Sequence, residues 1–260
     1  MFRVLSILLL VFAAMMFQAC SNDHATQPAD QSDATLVFAD KAGGHYGINI
    51  MPPNSRPHGL TYAEWSVKWW QWLWSAPADQ NPGLDATGEF VTLNQSGPVW
   101  FLAPAYYGQW ERTATIPTGK KLFIDLAGFF VSFAQGDGET EAEIREVATW
   151  FVDNVISNVI IEVDGQTLQN VEDFRFASPP GLITYTLPEN NMFEFFGYDI
   201  PAGIYDDGAC EGYYAMLPPL SAGEHTIFLS AEFGDPYNDT IQVMYYLTVE
   251  GGHGWRNRGK

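Results

Sequence analysis

The sequence predicts a mainly β fold, an antiparallel β-sandwich or jelly roll with two packed α-helices. Three observations predict it. About ten short segments read as strands with turn residues between them, and 225–233 and 240–249 alternate apolar and polar residues. Two other segments carry the helical period, and each opens on a capping box. The composition permits a real core: 47% of the 260 residues are hydrophobic and 15% aromatic. Those values exclude a mostly disordered chain.

The first helix is expected over 61–75. Thr61 and Glu64 form its capping box. At about 100° per residue, Glu64, Lys68, Gln71 and Ser75 gather within about 60° of one another. Apart from Ser66, the remaining positions are apolar or aromatic, and a helix apolar nearly all round is a buried one. Five of the nine tryptophans fall between Trp65 and Trp74, where core packing explains them better than ligand binding. Glu64 and Lys68 stand four apart in the order that favours an ion pair. Ala76-Pro77 ends the helix.

Strands are expected next over 99–103, 112–116 and 121–126. A conventional amphipathic helix follows over 140–157. Thr140 and Glu143 cap it, and Ile144, Val147, Ala148, Phe151 and Val155 form its apolar face. Strand 159–163 runs into Asp164-Gly165, a two-residue hairpin signal, and continues at 166–168. Further strands are expected over 174–177, 183–187, 213–217, 225–233 and 240–249. The frames Ile116-Pro117-Thr118-Gly119, Ile200-Pro201-Ala202-Gly203 and Leu220-Ser221-Ala222-Gly223 suit turns at sandwich corners. No solenoid period occurs. No linker divides the chain after residue 36, so 36–260 reads as one domain.

Residues 1–19 read as an export signal rather than structure. Arg3 supplies a short positive region, and 4–17 is apolar apart from Ser6, too short for a spanning helix of about twenty residues. The ending Phe17-Gln18-Ala19-Cys20 resembles the lipobox of bacterial lipoproteins, with Phe17 and Gln18 departing from its usual pattern. The resemblance implies a lipid on Cys20, and Ser21 after it implies the outer membrane. An ordinary secretory signal with an incidental cysteine is the alternative. Residues 20–35 are polar and aperiodic and read as a flexible tether, leaving the domain attached to the membrane by its lipid alone. Cys210 is then the sole thiol of the folded part, read as a small buried hydrophobe rather than a nucleophile.

Thirty-one acidic residues against twelve basic ones give a formal charge of −19. Removing 1–19 deletes one arginine and no acid, which takes the charge from −19 to −20. A nucleic-acid partner is excluded, since binding one needs a basic face. No dinucleotide fingerprint, P-loop or zinc motif is present, and no metal or cofactor is expected. The histidines are scattered. Asp206-Asp207-Gly208 and Asp235 with Asn238-Asp239 offer oxygen ligands without the EF-hand spacing, and solvated turns explain them.

Two groups carry candidate chemistry. Glu64, Lys68 and Gln71 form a polar stripe on an otherwise buried helix. Such a stripe either lines a cleft and moves protons, or is the helix's solvent edge or a buried ion pair. Tyr106, Tyr107 and Trp110, with Arg112, surround Gly108. Aromatic faces of this kind stack on sugar rings, and a loop packed on the sandwich is the alternative.

Several stretches also resemble an uncharacterised family of exported bacterial proteins. They include Glu64-Trp65, Trp69-Trp70-Gln71-Trp72, Gly97-Pro98-Val99-Trp100-Phe101-Leu102-Ala103 and Gly223-Glu224-His225-Thr226-Ile227. The resemblance implies export and this fold, and transfers no catalytic residue. In that family cysteines stand near the positions of Phe90 and Ala114. This implies that those two segments meet, without the disulfide here. The expected function is a surface-anchored lipoprotein with a binding or structural role, carbohydrate being the candidate ligand. The alternative is an exported polysaccharide hydrolase or lyase using Glu64, Lys68 and Arg112.

Overall fold

The computed structural model describes residues 46–251, all within one unit of the chain. The signal, Cys20, the tether, His24, His45 and His253 lie outside the described residues. The architecture is a sandwich of two mixed, mostly antiparallel sheets. The strands are β1 (Val99–Leu102), β2 (Gln109–Ile116), β3 (Lys121–Ser132), β4 (Ile156–Val163), β5 (Gln166–Thr167), β6 (Arg175–Ala177), β7 (Ile183–Leu187), β8 (Gly203–Leu217), β9 (Gly223–Phe233) and β10 (Asp239–Val249). The helices are α1 (Tyr62–Trp74), α2 (Glu141–Asn154) and the short α3 (Met192–Phe195).

The first sheet runs β1-β3-β8-β6, with β7 also paired to β8, and the second runs β2-β10-β9-β4-β5. The expected antiparallel sandwich is present, with two parallel pairs within it: β1 lies parallel to β3, and β2 parallel to β10. Both exceptions are edge strands, β1 and β2, whose next neighbour in sequence lies in the other sheet or beyond a crossover.

Strand β10 shows the expected alternation, with Ile241, Val243, Tyr245, Leu247 and Val249 turned into the core. Strand β3 is buried on both faces over Leu122–Ala127, because the second sheet covers one side and α1 the other. Two-sided burial erases alternation. This is why β3 and β8 run well past the expected 121–126 and 213–217. Their pairing also needs Gly128 opposite Gly212. A Cβ on Gly212 would lie 2.5 Å from the Gly128 Cα. At the other expected overrun, α2 stops at Asn154 rather than 157, since Ile156 and Ser157 pair with Phe233 and Glu232 of β9.

The tryptophans of α1 build the layer above the first sheet. Trp65 meets Phe101 and Phe123, and Trp70 and Trp74 meet Phe130. Four indole N–H groups donate to protein acceptors: Trp65 to the Pro57 carbonyl, Trp69 to Leu102, Trp72 to Leu93 and Trp70 to the Tyr214 hydroxyl. Helix α2 packs a smaller core from Ile144, Ala148, Phe151 and Val155 against Val131 and Ala209. The segments near Phe90 and Ala114 do meet. The Thr113 N–H donates to the Thr87 carbonyl at 2.9 Å, and Gly88 (φ +96°) leaves the space that this approach requires. Among the described residues no helix is long and apolar enough to cross a membrane.

Candidate functional site

The polar stripe of α1 lies along an open groove. Leu60, Val67 and Lys68 line one side, and the loop 179–184 before and into β7 forms the other, enclosing about 410 Å3. The loop is fixed from α2. The Arg145 guanidinium donates to the carbonyls of Ser178 (2.8 Å), Pro179 and Gly181 (2.8 Å). Glu141 accepts from Arg145 Nε and from the Gly181 N–H, each at 2.7 Å. Gln71 closes the far end by donating to the Thr184 carbonyl at 2.8 Å.

Within this groove Glu64 and Lys68 act separately. The Glu64 carboxylate turns back onto the helix start, accepting from the Thr61 N–H (2.7 Å) and hydroxyl (2.9 Å), with Arg56 at 3.6 Å. The Thr61 backbone bond, then its hydroxyl, holds Glu64 below the usual carboxylate range. A proton donor near neutral pH needs a shift the other way. The expected Glu64–Lys68 ion pair does not form. Lys68 is exposed and makes no ion pair or hydrogen bond among the described residues.

The second candidate group divides. Tyr107 is 51% exposed and meets Trp110 edge-on, with centroids 4.9 Å apart. Trp110 is half-buried, and the Arg112 guanidinium carbon lies 5.2 Å from its ring centroid. Tyr106 instead packs its ring over Gly83 and against Phe196. Its hydroxyl is buried without a partner, and burial, then the Asp125 charge, raises its pKa far above the ordinary value.

Arg112 is fully buried. It donates to the Asp85 carbonyl (2.6 Å), the Ala103 carbonyl (2.7 Å), the Tyr245 hydroxyl (2.6 Å) and, more loosely, to Gly83 and Pro104. None of these lies on α1, so the structure does not bring Arg112 to Glu64 and Lys68. The guanidinium fork joins the 83–85 turn, the end of β1 and β10 behind Trp110.

Two arrangements escape sequence reasoning. His225 Nδ1 lies 2.7 Å from Asp164 Oδ2, and Nε2 lies 3.2 Å from Ser221 Oγ. This order of atoms matches a Ser-His-Asp triad. Yet Nε2 is also 3.0 Å from the Ser221 carbonyl, which requires an N–H there, whereas a base needs a lone pair. Asp164 is half exposed, its other oxygen accepts the Thr226 N–H, and the α1 groove contains none of the three residues. The chain of contacts fastens the β4–β5 turn to the corner before β9. Spacing hides it, because Asp164 lies 61 residues from His225.

Beneath α1 lies a buried polar cluster. Cys210 Sγ is 3.6 Å from Ser66 Oγ, and Tyr214 stands directly across from Asp125. Asp125 is 2% exposed, and its Oδ1 has no hydrogen-bond partner. Burial pushes the Asp125 carboxyl well above its ordinary value and the Cys210 thiol up to about 11, which suits an inert thiol. The acids of the 206–208 and 235–239 segments serve local structure: Asp206 accepts from the Thr184 hydroxyl, Asp207 from the Ala134 N–H and Asp239 from the Gly108 N–H. Among the described residues no three His, Cys, Asp or Glu side chains gather to hold a metal ion. No protein-family model and no curated protein matches the chain.

Proposed function

We propose that this is a lipoprotein anchored through Cys20 to the outer membrane, whose β-sandwich binds carbohydrate. The observation that carries the binding reading is the exposed Tyr107 ring set edge-on against Trp110, with buried Arg112 fixing Trp110 from behind. Aromatic rings offer apolar faces to the C–H faces of sugars. A ring already held in place loses little freedom on binding. The net charge of −19 favours glycans of low charge. The alternative, a polysaccharide hydrolase or lyase, draws on Glu64, Lys68 and Arg112. Its support is weaker, because one of these caps a helix and another is a buried fastener.

A glycan array probed with the Cys20→Ser chain tests the binding reading. The expected result is binding to at least one neutral glycan, lost on Tyr107→Ala and Trp110→Ala. An array without any bound glycan overturns the reading. The anchor is tested separately by fractionation. Cys20→Ser releases the protein from membranes, and continued tight association contradicts the anchor.

A further inference from the structure

We propose that the α1 groove is a second binding site, for an otherwise uncharged oligosaccharide that carries a single carboxylate. The inference takes its glycan class from the reading above but uses none of the same residues. Its first support is Lys68. Seven lysines and arginines lie among the described residues, and six are engaged. Arg56 meets Glu64, Lys120 donates to the Gly97 carbonyl, Lys121 contacts His58, Arg145 and Arg175 hold carboxylates, and Arg112 is buried on carbonyls. Lys68 alone is uncommitted among them, and it stands in a groove of about 410 Å3. That volume falls within the ~300–1,000 Å3 typical of small-ligand sites.

The walls define the rest of the ligand. Leu60, Val67, Pro179 and Leu182 present apolar surface on both sides of the ammonium. A ligand body with C–H faces fits them, and one carboxylate fits Lys68. A dense polyanion is repelled by the −19 charge of the chain. An extended peptide would gain its affinity by adding to the β7 edge. The Thr184 carbonyl on that edge is already occupied by Gln71. The groove is preorganised, because Arg145 and Glu141 pin its outer wall. Glu64 stays on Thr61 and leaves Lys68 free for the ligand.

The test is an NMR titration of the Cys20→Ser chain with glucuronoxylotriose and with neutral xylotetraose. The acidic oligosaccharide is expected to bind about fivefold more tightly, the upper effect of one solvent-accessible ion pair. Lys68→Gln removes the difference and Lys68→Arg keeps it, with unchanged circular dichroism because Lys68 is exposed and makes no hydrogen bond or ion pair among the described residues. Tyr107→Ala leaves the difference intact, which separates failure here from failure of the aromatic site. Equal affinity for the two sugars in the unmodified protein overturns the proposal, as does a difference that survives Lys68→Gln. Tighter binding of the capped peptide acetyl-Pro-Pro-Glu-amide than of the acidic sugar also overturns it.

Discussion

Glu64 and Lys68 stand one helical turn apart on α1 and do not pair. The Glu64 carboxylate is 2.7 Å from the Thr61 N–H, and the Lys68 ammonium is left to the groove. The two residues therefore answer to different parts of the molecule, one to the helix end and one to whatever enters from solvent. A double-mutant cycle measures this directly. Thr61→Ala is expected to cost about 1 kcal/mol, the usual value of an N-cap. Lys68→Ala is expected to lie within about 0.5 kcal/mol of zero. The Glu64→Ala/Lys68→Ala coupling is expected near zero, and a coupling of about 0.3–0.5 kcal/mol, as in a helical ion pair, contradicts the geometry.

Arg112 is predicted to be among the costliest residues to replace. Its guanidinium satisfies buried carbonyls of the 83–85 turn and the end of β1, together with the Tyr245 hydroxyl. Arg112→Met leaves those acceptors dry, at about 1–3 kcal/mol for each that water cannot reach. A loss of about 3–5 kcal/mol in urea unfolding is expected, and Tyr245→Phe is expected to cost about 1 kcal/mol. An Arg112→Met loss below about 1 kcal/mol contradicts the fastener role.

The buried acids set the pH dependence. Asp125, without a partner for Oδ1, and Asp137, raised to about 6 by burial against the Ser132 N–H, bind protons more tightly folded than unfolded. Their contribution is complete below the ordinary carboxyl value of 3.8 and falls as pH rises, through about 6 for Asp137 and through the raised value of Asp125. Asp85 works in the opposite sense. Burial raises it, but bonds from Phe90, Thr87 and Gly88 together hold it below 3.8, so its contribution is lost as pH falls. Asp125→Asn is therefore expected to raise stability at about pH 8 and flatten its decline as pH rises above the ordinary carboxyl range. An unchanged slope in urea titrations across that range contradicts the placement of Asp125.

Much of this was legible in the sequence. Apolar runs between turn residues located each of the ten strands, with alternation clear in β9 and β10, and Thr61–Glu64 and Thr140–Glu143 marked both long helices. What was lost had physical causes. Two-sided burial hid the length of β3, and the Gly128–Gly212 contact gave no periodic signal. Four residues of α3 carry too little period to read. At the site, the stripe itself was visible, but the expected Glu64–Lys68 pair does not form, because the capping box already engages the glutamate. Arg112 was illegible as a fastener because its partners are backbone carbonyls from turns distant in sequence. Tyr106 looked equivalent to Tyr107, and only the packing on Gly83 and Phe196 separates them.

The central claim is that Tyr107 and Trp110 form a carbohydrate-binding surface. Isothermal titration of the Cys20→Ser chain with its best array glycan tests it most directly. The account predicts that Tyr107→Ala and Trp110→Ala each weaken binding by at least about tenfold, or about 1.4 kcal/mol, in protein that stays folded. Unchanged affinity in both folded variants contradicts it.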